Sequence, residues 1–464
     1  MPPPVSNRPA SGVFGAARPE LQAACRADPP LDLLAPLDLP PLPGKIALVT
    51  RSGGGGVARH ILDLLDLQRR GVARFHGVFT VLSESFRRRL RPFEADGFTW
   101  DELPMRRTPA PFRDLRDLRR LTDLLRRADV RLVHSHGTKG GCLGRLAARE
   151  LGLPAIHTPH TFPMEIHSLW RGLLRPALTV LERSLARHAA ALVLLTENQR
   201  QLAQGWRFEP GRMALIANGV SSAAAPDWIA AERRRIRAAL NIPDAAPLAV
   251  WVGRFDPQKN PGLLLLTAVR FLTALPDARM LFVGAEGESA ADDCAADAAA
   301  VALPASTSPR SEISAAPRRE SFGAPHLGAG AVLQRRLAEA GLGDRALFTG
   351  ERDDVDALLC AGDLFLNASR YEGMPYVVLE ALRAGLPQVL TDIPAHRALI
   401  ADGVEGILAP PDSAALADAL TALWTAPERR AAMRDAARRR AGCYGREQFL
   451  AAHAKLYSEV FAAR

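Results

Sequence analysis

The strongest constraint on this chain is an alternation, carried through twice, between short apolar runs and longer segments of helical period. In the first half the runs are KIALVT, RFHGVFTVL, VRLVHSH, LPAIHTPH, ALVLLT and RMALIANG. In the second they are LAVWVG, ARMLFVG, RALFTG, DLFLNAS, LPQVLTD and EGILA. Between them lie segments such as the one after the first glycine turn, where Val57, Ile61, Leu64 and Leu65 recur on one helical face. Short apolar runs too continuous for one-sided sheets, each followed by a helix, predict parallel doubly wound sheets. The expected fold class is therefore α/β, with Rossmann-like domains over residues 45–220 and 221–445 and a closing helical segment over 446–464. Residues 1–44 are rich in Pro and Ala without periodicity and read as a disordered extension. Residues 286–331, biased to Ala, Ser, Pro and Gly, read as a flexible insertion in the second domain.

The chain has 464 residues, 48% of them apolar, enough for two or three domains with substantial cores. No apolar run reaches the ~18–20 residues of a spanning helix, and the N-terminus lacks a charged-then-apolar secretion pattern. Five cysteines stand without CxxC spacing and read as thiols in a reducing compartment. A cytoplasmic protein is expected, peripheral on the inner membrane face if it meets lipid at all. Charge is uneven: of the formal net +9, residues 45–220 carry about +13. FRDLRDLRRLTDLLRR, residues 112–127, sets Leu115, Leu118, Leu121 and Leu125 on one face with arginines around them. Such a helix attracts an anionic membrane surface, or is simply a solvated face. Leu169, Trp170, Leu173, Leu174, Leu178 and Leu181 form a second stretch that reads as core or as membrane-facing surface. No nucleic-acid reader motif accompanies the basic residues, so nucleic acid is not an expected partner.

Chemistry concentrates in YEGMPYVVLEALRAGLPQVLTD, residues 371–392. Glu372 lies in a Gly/Pro loop and Glu380 in the following helix, with Pro375 well placed as its first residue. The amides around Gly373 and Met374 would open a helix N-terminus, a ready anion site. Upstream, PLAVWVG runs into GRFDPQKNPG, setting Arg254 and Lys259 in a loop at the carboxyl end of a strand, where parallel sheets bind ligands. A guanidinium fork and a compact ammonium suit a diphosphate.

Taken together, Gly253-Arg254 with Lys259, then Glu372-Gly373-Met374-Pro375 with Glu380, resemble the retaining glycosyltransferases of family four, which have the GT-B fold. The likeness extends to the Gly53–Gly56 loop, to HSHG (134–137), to TPHTF with His160, and to Asn218-Gly219-Val220. It covers roughly residues 45–460, and the 286–331 insertion departs from it. The resemblance implies two Rossmann-like domains facing a cleft, with the last helix folding back on the first domain. It implies a nucleotide-diphosphate sugar, UDP-sugar or GDP-mannose, as donor and a glycan or lipid-linked acceptor, in cell-surface polysaccharide synthesis. Glu380 would hold the ribose, Arg254 and Lys259 the diphosphate, and Glu372 with Gly373, Met374 and Pro375 the sugar side. His160 would reach the sugar from the first domain, and Gly54 and Gly55 would let backbone approach the donor. No cofactor and no metal are expected.

Other readings of these residues stay open. Gly53–Ala58 also fits the dinucleotide fingerprint of an NAD(P)-dependent oxidoreductase, with Glu84, a little late, the acid near the place about twenty residues on where such a site needs one. A sugar-nucleotide epimerase or a phosphorylase would use the same scaffold, and a basic scaffold without activity would leave the Glu/Arg/Lys constellation without purpose. His134 and His136 fall on one side of a strand end, near His157 and His160, but no Asp, Glu or Cys joins them at metal-ligand spacing.

Overall fold

The computed structural model describes residues 40–80, 84–106, 108–162, 169–209, 212–221, 225–287 and 328–463, without the side chains of 169–175. The extension over residues 1–44 lies almost wholly outside the described residues, as do most of the insertion at 286–331, Arg107, and the side chains of Leu169, Trp170, Leu173 and Leu174.

Thirteen strands appear among the described residues: β1 (Lys45–Thr50), β2 (Arg74–Phe79), β3 (Thr99–Glu102), β4 (Val130–His136), β5 (Ala155–Thr158), β6 (Ala191–Leu194) and β7 (Met213–Leu215), then β8 (Leu248–Val252), β9 (Arg279–Val283), β10 (Ala346–Phe348), β11 (Leu364–Asn367), β12 (Gln388–Thr391) and β13 (Gly406–Ala409). They form two sheets, ordered β3-β2-β1-β4-β5-β6-β7 and β10-β9-β8-β11-β12-β13. Every named pairing is parallel. Strand order reverses between β1 and β4 in one sheet and between β8 and β11 in the other. The crevice beyond the carboxyl ends at such a reversal is where open α/β sheets take ligands.

Burial explains the apolar runs. The second sheet is covered on both faces. One core joins Trp251, Phe282 and Leu366 to the Pro261–Ala274 and Ser413–Trp424 helices. Another joins Val250, Leu281 and Phe365 to Val378, Leu379 and Leu382 of the Tyr376–Ala384 helix. In the first sheet Ala47, Val49 and Val133 pack on Leu121 and Leu125 of the Pro111–Arg127 helix. The apolar side chains of its first turns stay outside the core: Leu115 is 50% and Phe112 93% exposed, so the four-leucine face expected from its period is buried only in part. The strand missed in the sequence is β3, TWDE, a short polar edge strand whose composition hides its pairing.

The segments 218–220 and 444–446 run side by side. Val220 N–H donates to Tyr444 O at 2.8 Å and Arg446 N–H to Val220 O at 2.9 Å. The Arg446–Ala462 helix then lies on the first domain: Arg446 reaches Asp63 at 3.0 Å and Asp66 at 2.9 Å, and the Tyr457 hydroxyl meets His134 Nδ1 at 2.7 Å. Cys142 and Cys360 are free thiols. Cys443 is disulfide-bonded, which departs from the all-thiol reading. No helix among the described residues is long and apolar enough to cross a membrane.

Candidate active site

The loops after β8 and β11, neighbours at the reversal of the second sheet, carry most of the predicted residues. After β8 the chain passes Gly253 and Arg254 into a 3₁₀ turn, Pro257–Lys259, capped by the Asp256 carboxylate. Pro261 then opens a helix at its first position, where a missing N–H is harmless. After β11 comes the two-glutamate loop. Its helix runs Tyr376–Ala384 with Pro375 as N-cap, φ −71° and ψ 119°. Pro375 is thus one residue outside the first helical position expected for it, because its ψ is still extended. Among the described residues the N–H groups of Gly373, Met374, Tyr376 and Val377 donate no backbone hydrogen bond, and all four residues line the cleft. They form the helix N-terminus suited to an anion.

Glu372 is held by three side chains. Lys259 Nζ donates to its Oε1 at 2.5 Å, Ser369 Oγ to the same oxygen at 2.7 Å, and Gln258 Nε2 to Oε2 at 2.9 Å. Burial alone would raise its pKa, but Lys259 and Ser369 hold it below the usual glutamate range. Glu380, one turn into the helix, is pushed up by burial, with Asp356 and Asp63 adding to the effect and Arg59 and Arg383 opposing it. Arg254 is bonded to Asp256 through Nε at 3.1 Å and Nη2 at 3.0 Å, while 42% of its side chain stays exposed.

The first domain supplies the facing wall. Gly55 has φ +61°, a conformation that favours glycine, and a Cβ there would lie 3.1 Å from Arg254 Nη1. The Arg254 guanidinium therefore crosses the cleft to the glycine loop. His160, with φ +59°, has its carbonyl held within the first domain by Gln199 Nε2, which donates to it at 2.9 Å, and that carbonyl faces the second domain. A Cβ on Gly373 would come within 1.6 Å of that carbonyl oxygen, so this close approach requires glycine. Asn218 bridges the same seam, donating through Nδ2 to Met374 O at 2.9 Å and accepting from His60 Nδ1 at 2.9 Å. Ser85 Oγ at 2.9 Å and Arg88 both bond Asp353.

These walls enclose a cavity of about 360 Å³. Gly54, Gly55, His160, Arg254, Lys259, Glu372, Gly373, Met374, Pro375 and Glu380 all line it, so every predicted site residue meets in one place. Arg59, Arg89 and Arg352 line it too and were not singled out in the sequence. Asp63, Glu380 and Tyr376 keep the Arg59 guanidinium charged against the effect of its own burial. Three more histidines, His60, His134 and His136, lie behind His160. Glu84 is an exposed residue opening the Glu84–Ala95 helix, not the ribose-binding acid a dinucleotide site needs.

Residues 55–219 match the model of the glycosyl transferase 4-like domain and residues 322–426 that of glycosyl transferases group 1. The chain belongs to the group 1 glycosyltransferases. It is 26% identical over 302 residues to a UDP-Gal:α-D-GlcNAc-diphosphoundecaprenol α-1,3-galactosyltransferase of Escherichia coli, covering 64% of this chain and 66% of that one. It is 29% identical over 283 residues to a D-inositol 3-phosphate glycosyltransferase of Mycolicibacterium vanbaalenii, covering 60% and 55%. The matched region thus spans just under two thirds and just over half of these relatives. Among solved structures, Anabaena HepE in complex with UDP and glucose superposes with a TM-score of 0.69 at 17% identity, over 89% of this chain and 99% of that one. WaaG, a glycosyltransferase involved in lipopolysaccharide biosynthesis, gives 0.61 at 16%, over 90% and 100%. These likenesses establish the GT-B fold.

In this glycosyltransferase a second depression of about 380 Å³ is lined by Pro154, Ala190, Met213, Leu456 and neighbours, with Arg212 and Glu459 as its ionisable side chains. It gathers none of the cleft's chemistry. The interdomain cleft, with cations and acids from both walls, is the glycosyltransferase's candidate active site.

Proposed function

We propose that this glycosyltransferase transfers a sugar, with retention of anomeric configuration, from a nucleoside diphosphate sugar bound in the cleft. In this reading Glu380 accepts hydrogen bonds from the ribose hydroxyls. Arg254, the free amides of Gly373, Met374, Tyr376 and Val377, and Lys259 receive the diphosphate, and their fixed positive charge stabilises the leaving group without requiring a metal. Glu372 and the Gly373–Pro375 backbone hold the sugar, His160 meets it from the first domain, and the Gly54–Gly55 backbone closes on the phosphates. The observation that carries the reading is the meeting of Arg254, Lys259, Glu372 and Glu380 around one cavity with a helix N-terminus between them. Glu372 is committed to Lys259, Ser369 and Gln258 and so is poorly placed to be a covalent nucleophile. Front-face departure and attack within an ion pair then account for retention.

The acceptor we propose is a glycan or lipid-linked sugar presented at an anionic membrane face, in surface polysaccharide assembly. Support comes from the first domain's positive charge and from Phe112 and Leu115, exposed beside Arg113 and Arg116. The diphosphoundecaprenol acceptor named for the E. coli relative is of this class. The test is incubation with UDP- and GDP-sugars and lipid-linked acceptors, with the product anomer read by NMR. Retained configuration on a new glycoside is expected; inversion, or an epimerised donor formed without acceptor, overturns the reading.

A further inference from the structure

We propose that His60, His136 and His160 form a binding site for one divalent transition-metal ion of the zinc class, at the first-domain wall of the cleft. One ring nitrogen from each lies within 4.8 Å of the others. The site draws on three elements: the Gly55–Arg69 helix, the end of β4 and the loop after β5. A tetrahedral ion with metal–nitrogen bonds of about 2.0–2.1 Å holds its donors about 3.3–3.4 Å apart. His136 Nδ1 and His160 Nε2 are 3.3 Å apart and share a hydrogen bond, so binding an ion moves the proton between them to a far ring nitrogen, and the most widely spaced donors of the group close in by up to about 1.5 Å.

The tautomer of the third ligand is fixed by its surroundings. Asn218 gives its Nδ2 to Met374 O, which leaves Oδ1 facing His60 Nδ1 at 2.9 Å. His60 must then carry its proton on Nδ1 and a lone pair on Nε2. That Nε2 is buried without a hydrogen-bond partner. An imidazole oriented by a carbonyl oxygen on one nitrogen, with the other bare, is how histidine ligands are commonly prepared for a metal. Neutral imidazoles favour Zn²⁺, Co²⁺, Ni²⁺ and Cu²⁺ over Mg²⁺ or Ca²⁺. His160 lines the cavity, which gives the ion a path in, and a bound ion would take the place of the contact that the proposed function gives His160 with the sugar.

Co²⁺ is the probe, added to the full-length, tag-free chain and read by visible absorption and calorimetry. Expected is one Co²⁺ per chain with the intense bands of a four-coordinate nitrogen site. Binding should be lost in His60→Gln and in His136→Gln, and kept in His453→Gln, whose ring lies 5.4 Å from His60 outside the donor set. The wild-type spectrum decides the matter if a variant does not fold. No stoichiometric binding, a weak six-coordinate spectrum, or binding indifferent to His60 and His136 would overturn the site. Metal binding is read without any sugar transfer, so failure here leaves the proposed activity standing, and failure of that activity leaves this site standing.

Discussion

Adding one methyl group at Gly373 tests how the two domains meet. A Cβ built there falls 1.6 Å from the carbonyl oxygen of His160 and 2.7 Å from its carbonyl carbon. Ordinary carbon–oxygen contact needs about 3.3 Å, so the surfaces must part by about 1.5 Å or more. Neither partner yields cheaply. The His160 carbonyl is held by Gln199, and His160 is already left-handed; Gly373 is anchored by Glu372 on one side and by the Asn218-bonded Met374 on the other. Overpacking of this kind destabilises by about 1–3 kcal/mol. The functional loss is larger, because a misplacement of about 1 Å of reacting groups costs about 10²-fold in rate. Gly373→Ala should therefore lower kcat/KM by about 10² or more while denaturation shifts only modestly. Gly442→Ala, helical at φ −59° with open space around it, serves as the control and should change neither. Wild-type turnover and stability in Gly373→Ala would show that the domains do not meet as described.

Three further outcomes follow from the same geometry. Lys259→Met leaves the Glu372 carboxylate buried without its cation and should destabilise by about 3 kcal/mol, with Glu372→Gln in the same chain recovering most of it; a urea titration showing additive losses would refute the pairing. The buried histidines make stability fall with acid. The unfolded chain takes up the His60 proton near pH 6.5 but the folded chain only near pH 4, so His60 alone should remove about 2 kcal/mol between pH 7 and pH 5. Equal urea midpoints at the two pH values would contradict this. Replacing Phe112 and Leu115 together by Ser should weaken binding to vesicles rich in anionic lipid by about 10-fold or more, about 1.5–3 kcal/mol per buried side chain being at stake; unchanged co-sedimentation would remove the membrane face proposed for that helix.

Most of this architecture could be read in advance because each strand buried on both faces writes itself as an unbroken apolar run, as in LAVWV and LFLN. TWDE could not, since an edge strand is held by backbone bonds that composition does not record. The donor side of the cleft was equally legible: Arg254, Lys259, Glu372 and Glu380 lie on strand-end loops whose Gly and Pro residues announce them. What stayed hidden depends on distance in the chain. His60 meets Asn218 across 158 positions and reads locally as one polar residue on an otherwise ordinary helix, and Arg59 and Arg89 vanish among the arginines of a basic domain. The Lys259–Glu372 pair was split by the same blindness: each residue was assigned a role towards the ligand, and their bond to each other appears only once β8 and β11 are neighbours.

The direct test of the central claim is thermal stability of the full-length chain with UDP, GDP or ADP, repeated on Arg254→Ala and Glu380→Gln. A nucleotide at 100-fold above its dissociation constant adds about 2.7 kcal/mol. One of the three should raise the melting temperature of the wild-type chain, and neither variant should respond at the same concentration. No response to any nucleotide, or an undiminished response in both variants, would mean that the cleft does not hold a nucleoside diphosphate.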